Sequence, residues 1–195
     1  MADANKVHFG LKNVHYALIT YTSGVPSWGT PKKVPGAVNV SLTKESAETN
    51  FYADDVLYYY VTGNNGFSGS LEMADFPAQM RQDLWNMELS TTGKLLIEDI
   101  DAQPAEFALM FEIDGDKSPD RYCLYRCIAS RPDITGATKA DSVEVQTQTC
   151  DLKVLPVIDP TSASKIDGKT YYRTTADTPS ATYTSFYSSV STTLA

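Results

Sequence analysis

The sequence predicts a mainly β protein with a flanking helix, an α+β fold in one domain. Three observations carry that expectation. Twelve tyrosines, with abundant threonine and valine, favour extended backbone, because aromatic and β-branched side chains fit a pleated, half-buried surface. Apolar–polar alternation recurs between clusters of Gly, Pro, Asn and Asp. After residue 75 the period shifts from two to helical for about three turns.

The elements follow in order. Residues 14–20 read as a strand. The next stretch, YTSGVPSWGTPKK at 21–33, holds Gly24, Pro26, Gly29 and Pro31 and reads as a long loop without regular structure. Across 34–43, Val38, Val40 and Leu42 alternate with Asn39, Ser41 and Thr43, so one strand face goes to a core and the other is polar. Residues 50–61, NFYADDVLYYYV, are aromatic around an Asp-Asp pair that reads as a bulge or corner between two strands. Gly63-Asn64-Asn65-Gly66 is a hairpin signal, since Gly and Asn tolerate positive φ. The returning strand, 67–74, sets Leu71 and Met73 against Ser68, Ser70 and Glu72.

Asp75 is an N-cap candidate ahead of Pro77, and Met80, Leu84, Trp85 and Met87 then form one apolar stripe. A helix over about 77–88 covers the sheet. Strands resume at 94–97, 106–113, 122–129 and 142–154, with the turn-rich DGDKSPD at 114–120 joining the second and third. Residues 1–155 make the core of the domain. Residues 156–166 read as an extended arm, helped by Pro156 and Pro160. Thr178-Pro179 then starts a short helix, with Tyr183, Phe186, Tyr187 and Val190 at helical spacing. Residues 156–195 thus complete the same domain.

The chain has 195 residues, within the span of a single domain and long enough to bury roughly 70% of its unfolded surface. Sixteen basic residues against 24 acidic give a net charge of −8. That balance opposes a protein that grips nucleic acid through its phosphates. The opening Met1-Ala-Asp-Ala-Asn-Lys lacks an apolar run, so no secretory signal is expected, and no stretch nears the roughly 18 apolar residues of a membrane helix. Three cysteines, Cys123, Cys127 and Cys150, suit reduced thiols in a cytoplasm. Cys123 and Cys127 are expected on one strand face about 13 Å apart, too far to bridge.

Catalytic and cofactor patterns fare poorly. Gly63, Gly66 and Gly69 lie between strands with no Lys-Ser/Thr after them, so a hairpin turn fits better than a phosphate loop. Asp114, Asp116, Ser118 and Asp120 have calcium-loop spacing, but Pro119 and Tyr125 stand where an EF-hand has Gly and Glu. A solvated hairpin tip fits better. His8 and His15 form no grouping with a nucleophile, and Glu98, Asp99 and Asp101 cluster on one loop. No enzyme, metal or other cofactor is expected. Trp28 beside Lys32 and Lys33 reads as an exposed aromatic at a protein contact, against the alternative of a core plug. His15 reads as a surface or interface histidine.

Four blocks carry a family resemblance: VHFGLKNVHYA from Val7, VPGAVNVSL from Val34, TNFYADDVLYYYVTGNNGFSGSLEMADFP from Thr49, and TTADTPSATYTSFYSSV from Thr174. In these blocks the chain resembles the major tail proteins, or tail tube proteins, of long-tailed non-contractile bacteriophages, especially those of Gram-positive hosts. Relatives often show a Trp-Phe pair near the end, where this chain has Phe186-Tyr187. The resemblance implies a β-sandwich flanked by a helix, six copies to a ring, and rings stacked into a hollow tube whose subunits share one β-barrel around the lumen. It implies a virion tail component assembled in the host cytoplasm. Its partners would be its own copies, a tape-measure protein, distal tail or baseplate proteins and a tail terminator. DNA would pass through the lumen without specific binding, and no membrane would be involved.

On that reading the polar strand faces place Asn39, Ser41, Thr43, Ser70, Glu72, Glu144, Gln146 and Gln148 toward the lumen. Inter-ring or inter-subunit contacts fall to Trp28, Lys32, Lys33 and His15, with the 21–33 loop or the C-terminal arm ordering on stacking. The alternatives are a carbohydrate-binding or adhesive β-sandwich and a secretion-system tube protein.

Overall fold

A computed structural model describes residues 5–138, 145–161 and 165–192. Along them run β1 (His8–Thr22), β2 (Val25–Trp28), β3 (Lys32–Lys33), β4 (Ala37–Ala53), β5 (Val56–Met73), α1 (Ala78–Trp85), β6 (Glu88–Leu89), β7 (Leu96–Ile97), β8 (Phe107–Gly115), β9 (Asp120–Ala129), β10 (Gln148–Leu155), β11 (Tyr171–Arg173) and α2 (Ser180–Thr184). Nine strands form one antiparallel sheet in the order β2-β1-β8-β9-β10-β5-β4, with β3 beside β1 and β11 beside β9. The sheet curls until β1 lies against β4 with no ladder between them among the described residues. The fold is mainly β, as the sequence predicts, and its two layers are one sheet rolled on itself.

Inside the roll, Val14, Tyr16, Leu71, Met73, Phe107 and Leu109 pack with Phe76, Met80, Leu84 and Trp85 from α1 and its lead-in. Burying such side chains stabilises by roughly 1.5–3 kcal/mol each. The Trp85 indole N–H donates to the Ala129 carbonyl at 3.1 Å, so the ring is buried without an orphaned polar atom. Pro77 itself occupies the N-cap position without a side-chain cap, and Asn86 in the left-handed region ends the helix at Trp85. Asp75, the expected cap, faces Arg81 instead at 3.5 Å. A second core covers the opposite face of β1, β8 and β9. There Ala17, Ala108, Met110, Cys123 and Tyr125 lie under Val157, Ile166, Phe186 and Val190.

The 21–33 stretch is not an irregular loop. Ser23 and Gly24 both take positive φ, the turn that matches strand twist, and β2 folds back on β1 with Thr22 opposite Val25. Pro26 is tolerated because β2 is an edge strand. Gly63–Gly66 is likewise not the hairpin turn. The turn is Asp54-Asp55, both at positive φ, and β5 runs unbroken through the glycines. Between the pairs Lys44–Phe67 and Ser46–Asn64, β5 holds one residue more than β4, so the Gly-Asn segment is a bulge. Gly66, at φ +92°, is needed there: a Cβ would overlap the Val154 carbonyl.

A second bulge corrects the cysteine geometry. Phe107 pairs with Cys127 but Leu109 with Leu124, so β9 gains a residue near Tyr125-Arg126 and its alternation inverts. Cys123 therefore lies in the second core and Cys127 in the first, on opposite faces of the sheet. The expected strand at 94–97 shortens to β7, which pairs only with β6. The strand expected over 142–154 is ordered as β10, and residues 142–144 lie outside the described residues.

Candidate functional site

Alternation along β4, β5 and β10 builds one polar face in three rows. Asn39, Glu72 and Thr149 stand side by side; then Ser41, Ser70 and Asp151; then Thr43, Ser68 and Lys153. The rows exist because Leu71 and Met73 on β5, and Cys150, Leu152 and Val154 on β10, turn the other way into the roll. Thr147 donates to Glu72 at 2.6 Å, and Lys153 pairs with Glu45, so the face's lysine is already neutralised.

Five of the eight residues predicted to share a face therefore do: Asn39, Ser41, Thr43, Ser70 and Glu72. Gln148 does not. It has the parity of buried Cys150, and its side-chain oxygen receives the Phe76 N–H at 3.3 Å and the Arg81 guanidinium at 2.6 Å. Gln146 is exposed but precedes β10, and Glu144 lies outside the described residues. The outward residues of β10 are Thr149, Asp151 and Lys153, one register off the prediction.

The second feature is the far end of the β4–β5 hairpin. β10 pairs with β5 from Phe67 to Met73, so beyond Gly66 the two strands run on without a third among the described residues. This ribbon exposes Phe51 (57%), Tyr52, Leu57, Tyr58 (73%), Tyr59 and Tyr60. It also carries Glu45, Glu48, Asp54 and Asp55, and no Lys or Arg between 45 and 66. An isolated two-stranded ribbon is marginal in water, and an apolar patch of this kind marks a contact surface.

Three of the four residues predicted to make contacts between subunits have partners within the chain. Trp28 packs partly buried against the second core, its indole N–H on the Tyr125 carbonyl at 2.9 Å and its ring beside Tyr125. β2 folds it toward that core. Lys32 reaches Asp83 of α1 at 2.5 Å, and Asp83 also accepts from Tyr16 at 2.6 Å and Gln79 at 2.9 Å. His15 stacks on Tyr187 with ring centroids 4.3 Å apart and bonds the Asn13 carbonyl through Nδ1. Burial holds its pKa below the ordinary histidine value, against the raising effect of that bond and with a further lowering by Lys33. Lys33 remains exposed.

The C-terminal segment is fastened by a group the sequence reading missed. Glu112 is 2% exposed and pairs with Arg121 at 2.7 Å. Arg121 donates to the Tyr183 carbonyl and lies 3.8 Å from the Tyr183 ring centre. A lone carboxylate in the apolar run FALMFEI was the available signal. The arm is docked too: Val157 and Ile166 are buried in the second core. The thiols are buried, which pushes Cys123 and Cys150 up to about 12 and Cys127 higher still. Among the described residues no group of three or more His, Cys, Asp or Glu could hold a metal ion. Asp116 of the calcium-like loop instead accepts from the Lys6 N–H, and Asn5 caps the Lys117 and Ser118 amides. No helix among the described residues is long and apolar enough to cross a membrane.

Fold and surfaces together define a mainly β protein on one rolled antiparallel sheet, with a polar face and a projecting apolar ribbon. No family model and no curated protein matches the chain. Among solved structures, a chain of the anti-feeding prophage baseplate, from a six-fold symmetrised cryo-EM structure, aligns with 78% of this chain and 93% of its own. The identity is 17% and the TM-score 0.44.

Proposed function

We propose that this protein is a non-catalytic structural subunit of a virion tail that assembles into hexameric rings stacked as the tail tube, the conduit for genomic DNA. The observation that carries the reading is the β4–β5 ribbon. Its aromatic side chains stay exposed although Phe51 and Tyr58 meet edge-on, and further copies of the chain would cover them. The open edge of β4 supplies unpaired backbone groups for the same purpose. The four tail-tube-like sequence blocks support the reading, and the most distinctive of them spans the ribbon.

The polar face fits a channel wall. Hydroxyls, an amide and the carboxylates of Glu72 and Asp151 line it, and its lysine is held by Glu45, so among the described residues of that face passing phosphates meet no free cation. A tape-measure protein would fill the lumen during assembly, with a terminator and distal tail proteins at the two ends. The carbohydrate-binding alternative keeps the ribbon's exposed tyrosines as a stacking surface but not Trp28, which packs partly buried against the second core.

Negative-stain electron microscopy across a concentration series tests the proposal. Hollow tubes or six-fold rings are expected. Protein that stays monomeric to its solubility limit, with its ribbon unprotected throughout, overturns it.

A further inference from the structure

The roll is open at the end from which the ribbon leaves. Val40 and Leu42 of β4, Phe67 of β5, Ile113 of β8, Tyr122 of β9 and Tyr171 of β11 line an apolar cavity of about 260 Å³ there. Its cause is a change of strand. Leu155 of β10 pairs with Arg126, Pro156 then turns the chain away, and β11 takes up the same lane with Tyr171 opposite Leu124. Between β11 and the ribbon there is no ladder among the described residues, and the rings of Phe67 and Tyr171 meet edge-on at 5.8 Å.

We infer that the aromatic tip of one copy's ribbon, Phe51 and Tyr58 foremost, seats in this mouth on the next copy. The inference deepens the tube reading and rests on it for the presence of further copies. Size permits it, since a cavity of about 150 Å³ already holds benzene. Charge selects it. Beyond Glu45, which Lys153 holds, the ribbon bears Glu48, Asp54 and Asp55 and no cation. Exposed Lys44 and Lys169 flank Phe67 and Tyr171, with Arg173 beside them at 4.0 Å from Asp120. A chain cannot fill its own mouth, because Tyr58 lies nine residues beyond Phe67 on an extended strand, about 30 Å away. The contact is therefore head-to-tail, the kind that closes into rings or continues along an axis.

Disulfide trapping between two full-length variants tests the pairing. Tyr58→Cys marks the tip, Leu42→Cys the mouth, and Asn39→Cys the polar face as control; the native thiols are buried. Mixed and oxidised, tip and mouth chains are expected to link at least tenfold more than tip and control chains. Val40→Cys repeats the mouth measurement should Leu42→Cys fail to fold. Rings or tubes in the microscope with tip–mouth linkage no higher than control overturn the pairing and leave the tube reading standing. Absence of both assembly and linkage overturns both.

Discussion

The two halves of the β4–β5 hairpin share strands but not circumstance. The near half, opposite Phe67 to Met73, has β10 on its free side and sends Leu71 and Met73 into the roll. The far half has neither a third strand nor a core among the described residues, and its tyrosines face outward. Strand-forming sequence alone therefore does not say what holds a strand in place. In the near half it is this chain; in the far half the proposed support is another.

The largest expected effect separates the two halves outright. Trp85→Ala removes a ring from the core beneath the near half and is expected to cost about 3–5 kcal/mol in denaturant unfolding of the monomer. Tyr59→Ser in the ribbon is expected to change monomer stability by no more than about 0.5 kcal/mol, while sedimentation shows assembly lost. Equal effects of the two on monomer stability would erase the distinction.

Next comes the near half itself. Gly69 sits so close to β4 that a Cβ would overlap the Ser41 carbonyl. Gly69→Ala is expected to cost about 1–3 kcal/mol, read from the denaturation midpoint.

Acid sharpens the contrast from the body's side. The Arg126 guanidinium holds the Glu106 carboxyl below the usual carboxylate range; burial opposes this, and the Tyr21 hydroxyl adds to it. A depressed pKa gives stability that is complete above the unfolded value, about 4.3, and lost as pH falls through the lower folded one. Melting temperatures of the monomer are expected to decline below that pH, and Glu106→Gln is expected to flatten the decline.

The smallest effect is local. Asp54 and Asp55 hold positive φ at the ribbon turn, where Asn-Gly is favoured. Asp54→Asn with Asp55→Gly is expected to steady the ribbon by about 1 kcal/mol, seen as slower amide exchange near the turn with the global melt unmoved.

Much of this was legible in the residues. Pro77 followed by Met80, Leu84 and Trp85 gave α1, and Phe186 and Val190 gave the docked C-terminal segment. Alternation gave the polar face of β4 and β5. What was not legible were the positive-φ positions, because turns and bulges draw on the same residues. Asp54-Asp55 and Gly63–Gly66 exchange the expected roles for that reason, and the bulge near Tyr125 inverts β9 without any local sign. Gln148 was misplaced because alternation finds two faces but not which one is inside; buried Cys150 and Leu152 decide that. The intrachain partners of Trp28 and Lys32 are not legible in sequence, because only the fold brings Tyr125 and Asp83 to them.

The most direct measurement is hydrogen exchange of the amides at 46–64, followed by mass spectrometry in dilute and in concentrated protein. The ribbon is expected to exchange freely when dilute and to become at least tenfold slower on assembly, while the 67–73 amides stay protected throughout. A ribbon equally protected at both concentrations would show that the chain supports it alone, and would contradict the proposal that other copies do.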